Sequence, residues 1–219
     1  NEGIWNNDWD LSLELIKRHI KRKNSKLNPP QRKDIIRCFD DFYFGGDPKK
    51  DSKDWSGFIK NEELLVEKEF FTLLSANRIS WGFVSGAESA SAKFVLEKRL
   101  RLESPPLIAM GDAPDKPNPQ GFLYLANKLC KDNLGQKNIP IAYVGDTIAD
   151  INTVKNAKKR IPSQIFISIG VAPPHLHLGS RKKERELYEA KLKDAGADLI
   201  LNKLNELKNI DIAFFKKYR

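Results

Sequence analysis

From residue 79 onward the chain alternates short apolar runs with longer stretches in which apolar residues recur every three or four positions. The runs are Ile79–Val84, Leu107–Met110, Ile139–Val144, Gln164–Ile169 and Ala197–Leu201. Between them, Ser89–Leu102, Pro119–Leu129, Ala149–Ala157 and Lys182–Lys193 carry helical spacing. Ala92, Val95, Leu96 and Arg99 illustrate it at i, i+3, i+4 and i+7, with the last position polar. Strands alternating with helices of this length predict a parallel sheet with helical crossovers. Each run is followed by a small or polar residue: Ser85-Gly86, Gly111-Asp112, Gly145-Asp146, Gly170 and Asn202. Ligands of open α/β sheets gather beyond the carboxyl ends of the strands. Ser85, Asp112, Asp146 and Thr147 are therefore expected along one edge.

Residues 1–75 follow a different pattern. Leu11–Lys23, Gln31–Phe44 and Lys60–Leu74 read as amphipathic helices, punctuated by Asn28-Pro29-Pro30 and by Gly45-Gly46-Asp47-Pro48. The expected organisation is a helical module over 1–75 and an α/β core over 76–219.

Composition narrows the setting. Of 219 residues, 40% are hydrophobic and 31% charged, the balance of a globular chain. No apolar run approaches the roughly 18–20 residues of a membrane helix, so no membrane partner is expected. Cys38 and Cys130 fit neither a zinc spacing nor a disulfide framework, which points to a reducing, cytoplasmic compartment. The net charge of +9 is unevenly spread: residues 1–75 hold 14 basic and 14 acidic side chains, and residues 76–219 hold 24 and 15. The basic clusters Lys155–Arg160 and Arg181–Arg185 have no interleaved aromatics to stack bases. They read as solvated helix faces or ends that attract anions, and nucleic acid is not the expected partner.

Three short stretches carry candidate chemistry. In Val144–Asp150 a strand delivers Asp146 to its carboxyl end, and Asp150 follows one helical turn later. Two carboxylates there suit a hard cation such as Mg²⁺; the plainer reading is a helix cap and a first-turn acid. In Phe83–Gly86, the Ser85 hydroxyl and the Gly86 N–H can grip a phosphate oxygen, or simply form a turn. In Asp115–Pro119, Pro117 and Pro119 stiffen the backbone around Lys116 and Asn118, placing a lysine that can neutralise a phosphate or carboxylate. Taken singly, the last two have ordinary readings as turns. His175 and His177 lack a third ligand and read as surface residues. Trp5, Trp9 and Tyr43 read first as aromatics of a helical core.

In this order, each beyond a strand, the three stretches resemble the haloacid dehalogenase (HAD) superfamily. Ser85 matches its second motif, Lys116–Pro119 its third (Lys-Pro-x-Pro), and Gly145–Asp150 its fourth (Gly-Asp-x-x-x-Asp). The resemblance covers about residues 60–219, and the helical module is similar to the cap of subfamily IA, the phosphoglycolate-phosphatase-like group. It implies a Rossmannoid parallel sheet with a helical cap, and a Mg²⁺-dependent phosphatase acting on a small phosphorylated metabolite through an aspartyl-phosphate. By the same resemblance Asp146 and Asp150 form the Mg²⁺ site, Asp146 ligating the ion directly and Asp150 standing behind the ligands or reaching the ion through water. Ser85 and Gly86 bind the phosphoryl oxygens and Lys116 offsets their charge.

The family's first motif, Asp-x-Asp-x-Thr/Val after a hydrophobic strand, has no match. Asp8-Trp9-Asp10 lacks the preceding strand and reads as a helix start. The chain opens Asn-Glu-Gly and its single Met is Met110. The expectation is therefore a fragment, its cap incomplete at the N-terminal side, lacking the central first strand and the nucleophile, and inactive alone. Alternatives are a non-catalytic binding or scaffold protein that has lost its nucleophile, a phosphomutase, and a metal-free 2-haloacid dehalogenase. The sequence leaves substrate and oligomeric state open.

Overall fold

The computed structural model describes residues 8–136 and 139–209. The chain divides into two compact units, Asn1–Leu64 with Gly86–Glu103 and Leu65–Ser85 with Ser104–Arg219. This division departs from the expected break at residue 75, and aromatic packing explains why. Phe71 lies 4.8 Å from Trp81 and 5.4 Å from Phe83, which draws the helix that carries it into the second unit. Phe94 lies 5.1 Å from Trp55, which draws the stretch after Gly86 into the first.

The first unit is helical, as its apolar spacing predicts. Helix α1 (Asp8–Arg22) packs on α2 (Arg32–Tyr43). Arg32 joins them: its Nε donates to Asp10 Oδ1 at 2.7 Å and its guanidinium lies 5.4 Å over the Trp9 ring. Short 3₁₀ turns follow at Ser52–Asp54 and Phe58–Lys60. The second segment of the unit enters as α4 (Ser89–Lys93) and continues as a π-helical turn, Phe94–Arg99. Phe44, Trp55 and Ile59 form the core. Gly45 turns the chain at φ +79°, where a Cβ would strike Ser56 and the Gly57 backbone.

The helix expected over Lys60–Leu74 instead begins at residue 68, as α3 (Lys68–Ala76). Arg99 accounts for part of the delay. Its guanidinium donates to the carbonyls of Ile59 and Glu62, so those oxygens bind a side chain in place of amides further along a helix.

The second unit alternates strand and helix: β1 (Phe83–Val84), β2 (Leu107–Ile108), α5 (Gln120–Leu129), β3 (Ile141–Gly145), α6 (Ile148–Arg160), β4 (Phe166–Val171), α7 (Lys182–Ala195) and β5 (Leu199–Leu201). Every strand pair is parallel, as the alternation predicts. Among the described residues the strands form two sheets, β1–β2 and β3–β4–β5. Register runs Phe83↔Leu107 in the first sheet and Gly145↔Gly170 in the second. Strands β1 and β2 are shorter than their apolar runs, consistent with each having a single ladder partner.

One apolar layer underlies both sheets. Phe122, Leu123 and Ala126 of α5 meet Val154, Ala157 and Phe166, and Val84 of β1 packs on the same cluster as Ile141 and Tyr143 of β3. A Cβ on Gly121 would lie 3.1 Å from both Ile108 and Ala113, so α5 approaches the β1–β2 side closely. Strand β4 is buried at five of six positions, whereas every residue of β3 is only half-buried. Parallel strands are normally covered on both faces and both edges, so β3 is an incompletely covered apolar strand.

Ile169, fully buried between β3 and β5, tests this core. Ile169→Ala should cost about 2–5 kcal/mol in urea unfolding, as deletions in close-packed cores do. Leu187→Ala, at a side chain 65% exposed, should change stability by less than about 0.5 kcal/mol.

Candidate active site

The β3–α6 turn builds the centre of the site. Gly145 ends β3, Asp146 follows, and Thr147 caps α6, its Oγ1 accepting from the Asp150 N–H at 3.2 Å. Asp150 returns the contact: its Oδ2 accepts from the Thr147 N–H at 3.0 Å and from Thr147 Oγ1 at 2.7 Å. This reciprocal capping box places the carboxylate inside the first turn. Asp150 Oδ1 accepts from Lys116 Nζ at 2.7 Å and from the Tyr143 hydroxyl at 3.1 Å. Four donors thus converge on a residue that is 2% exposed.

Gly145 makes that convergence possible. A Cβ there would sit 2.4 Å from the Asp150 Cβ and 2.7 Å from its Oδ2, overlapping the carboxylate. Burial, and then the Asp150 charge, push the Tyr143 hydroxyl pKa well above its ordinary value, so Tyr143 remains a donor.

Lys116 is held from both sides. The Asn118 Oδ1 accepts from the Gln120 N–H at 2.9 Å, fixing the loop to the start of α5. Asn156 Nδ2 of α6 donates to the Pro117 carbonyl at 3.0 Å. The lysine side chain keeps 25% of its surface exposed while Asp150 keeps 3%, so a partly exposed lysine is tied to a buried anchor.

Asp146 has a different environment. It is exposed, and its backbone carbonyl accepts from the Tyr188 hydroxyl of α7 at 2.8 Å. Its carboxyl pKa is raised, first by the protein atoms that displace solvent around it and then by the Asp150 charge; Lys116 and His175 act in the opposite sense. Asp146 is thus the acid at this turn that is open to a ligand, and Asp150 is the one already engaged.

The structure brings Lys116, Asp146 and Asp150 together around one turn. Asp150, expected as a metal ligand, has both oxygens occupied by protein donors and acts on Lys116. Ser85 lies at the end of β1, half-buried, its N–H donating to the Ile108 carbonyl at 2.8 Å. Gly86 is exposed, with open space where a Cβ would stand. Asp112 closes the turn after β2, its Oδ2 accepting from the Ala109 N–H at 2.8 Å. His175 is exposed, and His177 Nε2 lies 2.9 Å from the Ala172 carbonyl. Trp9 and Tyr43 belong to the aromatic packing of the first unit: Trp9 meets Phe39 edge-on at 5.9 Å and Tyr43 stacks on it at 4.9 Å. Trp5 lies outside the described residues.

Sequence reasoning passed over Tyr143, Asn156 and Tyr188. Tyr143 carried a signal, because strand alternation puts it on the same face as Gly145. Asn156 and Tyr188 carried none that a single sequence exposes. Among the described residues no three His, Cys, Asp or Glu side chains gather as a metal cluster. Mg²⁺ asks less than that, since it binds through one or two carboxylates and completes its shell with water and phosphate oxygens. The exposed Asp146 carboxylate fits such a donor set.

The two aspartates should separate cleanly in stability measurements near neutral pH. Asp150→Ala strips a buried network and leaves Lys116 and Tyr143 without their acceptor, costing about 3–5 kcal/mol in urea unfolding. Asp146→Ala should be neutral or slightly stabilising. A carboxyl whose pKa is raised on folding is disfavoured as an anion in the native state, so removing that charge relieves repulsion.

No protein-family model and no curated protein sequence matches the chain. Solved structures do resemble it. A phosphonoacetaldehyde hydrolase-like protein from Oleispira antarctica superposes with a TM-score of 0.63 at 18% identity, over 94% of this chain and 72% of that one. A structural-genomics target superposes with a TM-score of 0.57 at 15% identity, over 97% and 63%. A hydrolase from Pseudomonas syringae gives 0.48 at 20% identity, over 66% and 58%. At these identities the likeness concerns fold. The chain has the HAD-like α/β fold that its three motifs lead one to expect, the fold it shares with the Oleispira protein.

Proposed function

We propose that this chain serves a Mg²⁺-dependent hydrolase activity that cleaves phosphate esters of small metabolites. The observation that carries the reading is the pairing of an exposed Asp146 with a Lys116 anchored at 2.7 Å on buried Asp150. It puts a fixed cation beside a carboxylate open to a metal, beyond the end of a parallel strand. A lone surface lysine would swing freely; this one holds its charge where a phosphoryl group can meet it.

Each residue then has one task. The Ser85 hydroxyl and the Gly86 N–H bind phosphoryl oxygens at the end of β1. Lys116 offsets the charge that develops on them, and Asp146 would hold the metal. Bound Mg²⁺ supplies charge neutralisation and Lewis-acid polarisation of the phosphate. The nucleophile is an aspartate outside the described residues. We place it at the end of a further parallel strand between β1 and β3, because both pack on the α5 layer without pairing with each other and β3 is half-covered. That carboxylate attacks phosphorus as the P–O ester bond breaks, the leaving oxygen takes its proton from water, and a second water then hydrolyses the aspartyl-phosphate to the free carboxylate and inorganic phosphate. The name of the Oleispira neighbour favours adding phosphonoacetaldehyde to the substrates tried.

The test is release of inorganic phosphate from a panel of phosphate esters and phosphonoacetaldehyde. The 219-residue chain is compared with the same chain extended by what its coding sequence encodes ahead of Asn1. The extended protein should turn over with Mg²⁺, stop in EDTA, and stop on Asp146→Ala. Ser85→Ala should slow it by roughly 10–100-fold, as loss of one hydrogen-bond donor does. The 219-residue chain alone should release none. Robust turnover by that chain, or activity that persists in EDTA, contradicts the proposal.

A further inference from the structure

The peptide group between Asp146 and Thr147 lies past the end of one element and ahead of the next. The β3–β4 ladder ends at the pair Gly145↔Gly170, and the Ile151 amide of α6 reaches back only as far as the Thr147 carbonyl. The Asp146 carbonyl is therefore beyond the sheet and before the helix.

Side chains take both ends of this peptide. The Thr147 N–H donates to Asp150 Oδ2 at 3.0 Å, and the Asp146 carbonyl accepts from the Tyr188 hydroxyl at 2.8 Å. Asp150 stands on α6 and Tyr188 on α7, so two helices grip one planar group from its two ends. A plane held at its N–H and at its carbonyl has little freedom to tilt. Its orientation sets ψ of Asp146, and the backbone conformation in turn limits the side-chain rotamers open to that residue.

Tyr188 is well anchored for this task. It is half-buried and packs, as Ile148 does, against the cluster of Ile151, Leu192 and Ala197. A phenylalanine would fill the same apolar space. What the hydroxyl adds is the bond to the carbonyl of an exposed acid.

We infer that Tyr188 is a positioning residue: by holding the Asp146 carbonyl it sets the direction in which the Asp146 carboxylate meets a divalent cation. Groups that orient a metal ligand from behind commonly govern the affinity of the site. Asp146 is exposed, so water replaces the hydroxyl when it is lost, and the turn stays folded while its carboxylate samples several directions. The inference rests on the reading of Asp146 as the metal ligand, and it adds α7 to the parts of the fold that determine how tightly the metal is held.

The test compares Tyr188→Phe with Ile200→Val, which removes a methyl group packed on the same cluster and leaves the peptide untouched. Mn²⁺ is the probe, its free concentration followed by electron paramagnetic resonance as it is titrated into the 219-residue chain. Binding at the site is the part that Asp146→Ala removes. Tyr188→Phe should weaken that part about tenfold, the lower end of what ligand-orienting groups contribute. Ile200→Val should leave it unchanged while lowering the unfolding midpoint, which accounts for loss of packing alone. Without metal, the Hα–Hβ couplings of Asp146 should report one rotamer in the unaltered chain and in Ile200→Val, and an average over several in Tyr188→Phe. The inference is overturned if the two variants weaken Mn²⁺ equally, if Tyr188→Phe leaves the affinity unchanged, or if the Asp146 couplings do not respond to loss of the hydroxyl. An unaltered chain that holds no Mn²⁺ at Asp146 brings down the metal reading instead, and the couplings then decide the inference by themselves.

Discussion

The site depends on one buried carboxylate. Asp150 lies in the first turn of α6 with almost no exposure, where an unpaired charge would be costly. It is stable there because Lys116, Tyr143 and two groups of Thr147 surround it. Those partners come from the loop before α5, the middle of β3 and the cap of α6. One side chain therefore locks three consecutive pieces of the fold, and Gly145 must lack a Cβ for the carboxylate to fit.

The same interaction divides the labour between the two acids. A lysine on a Pro-rich loop would wander unless a buried counter-charge caught it. Asp150 catches it and is consumed in doing so, its oxygens turned to protein donors. Asp146, four residues earlier, stays open at the end of β3, its ionised form disfavoured first by the protein atoms that displace solvent around it and then by the Asp150 charge. A site built this way presents a positive charge and an available anion side by side, the arrangement that a metal-bound phosphate requires.

Much of this was legible in the sequence. The five apolar runs became five parallel strands in chain order, and the Gly-Asp stretch after the third became the turn between β3 and α6. The Thr147-x-x-Asp150 spacing is itself a capping-box signature, which would have put Asp150 in a cap before any ligand was considered. The illegible part came from contacts distant in sequence. Arg99 delays α3 by taking carbonyls some forty residues earlier, and Phe71 and Phe94 assign their helices to units that local spacing does not reveal. Asn156 and Tyr188 brace the site from helices whose pattern reads as ordinary surface. A polar residue shows its partner only once the chain is folded.

The central claim is that Asp146 takes the metal while Asp150 holds Lys116. Paramagnetic broadening by Mn²⁺, standing in for Mg²⁺, tests it on the 219-residue chain without requiring turnover. The account predicts that trace Mn²⁺ selectively broadens the amide resonances around Gly145–Thr147 and near Lys116, and that Asp146→Ala removes this broadening. Broadening that survives Asp146→Ala, or that is spread evenly over the acidic surface, would contradict it.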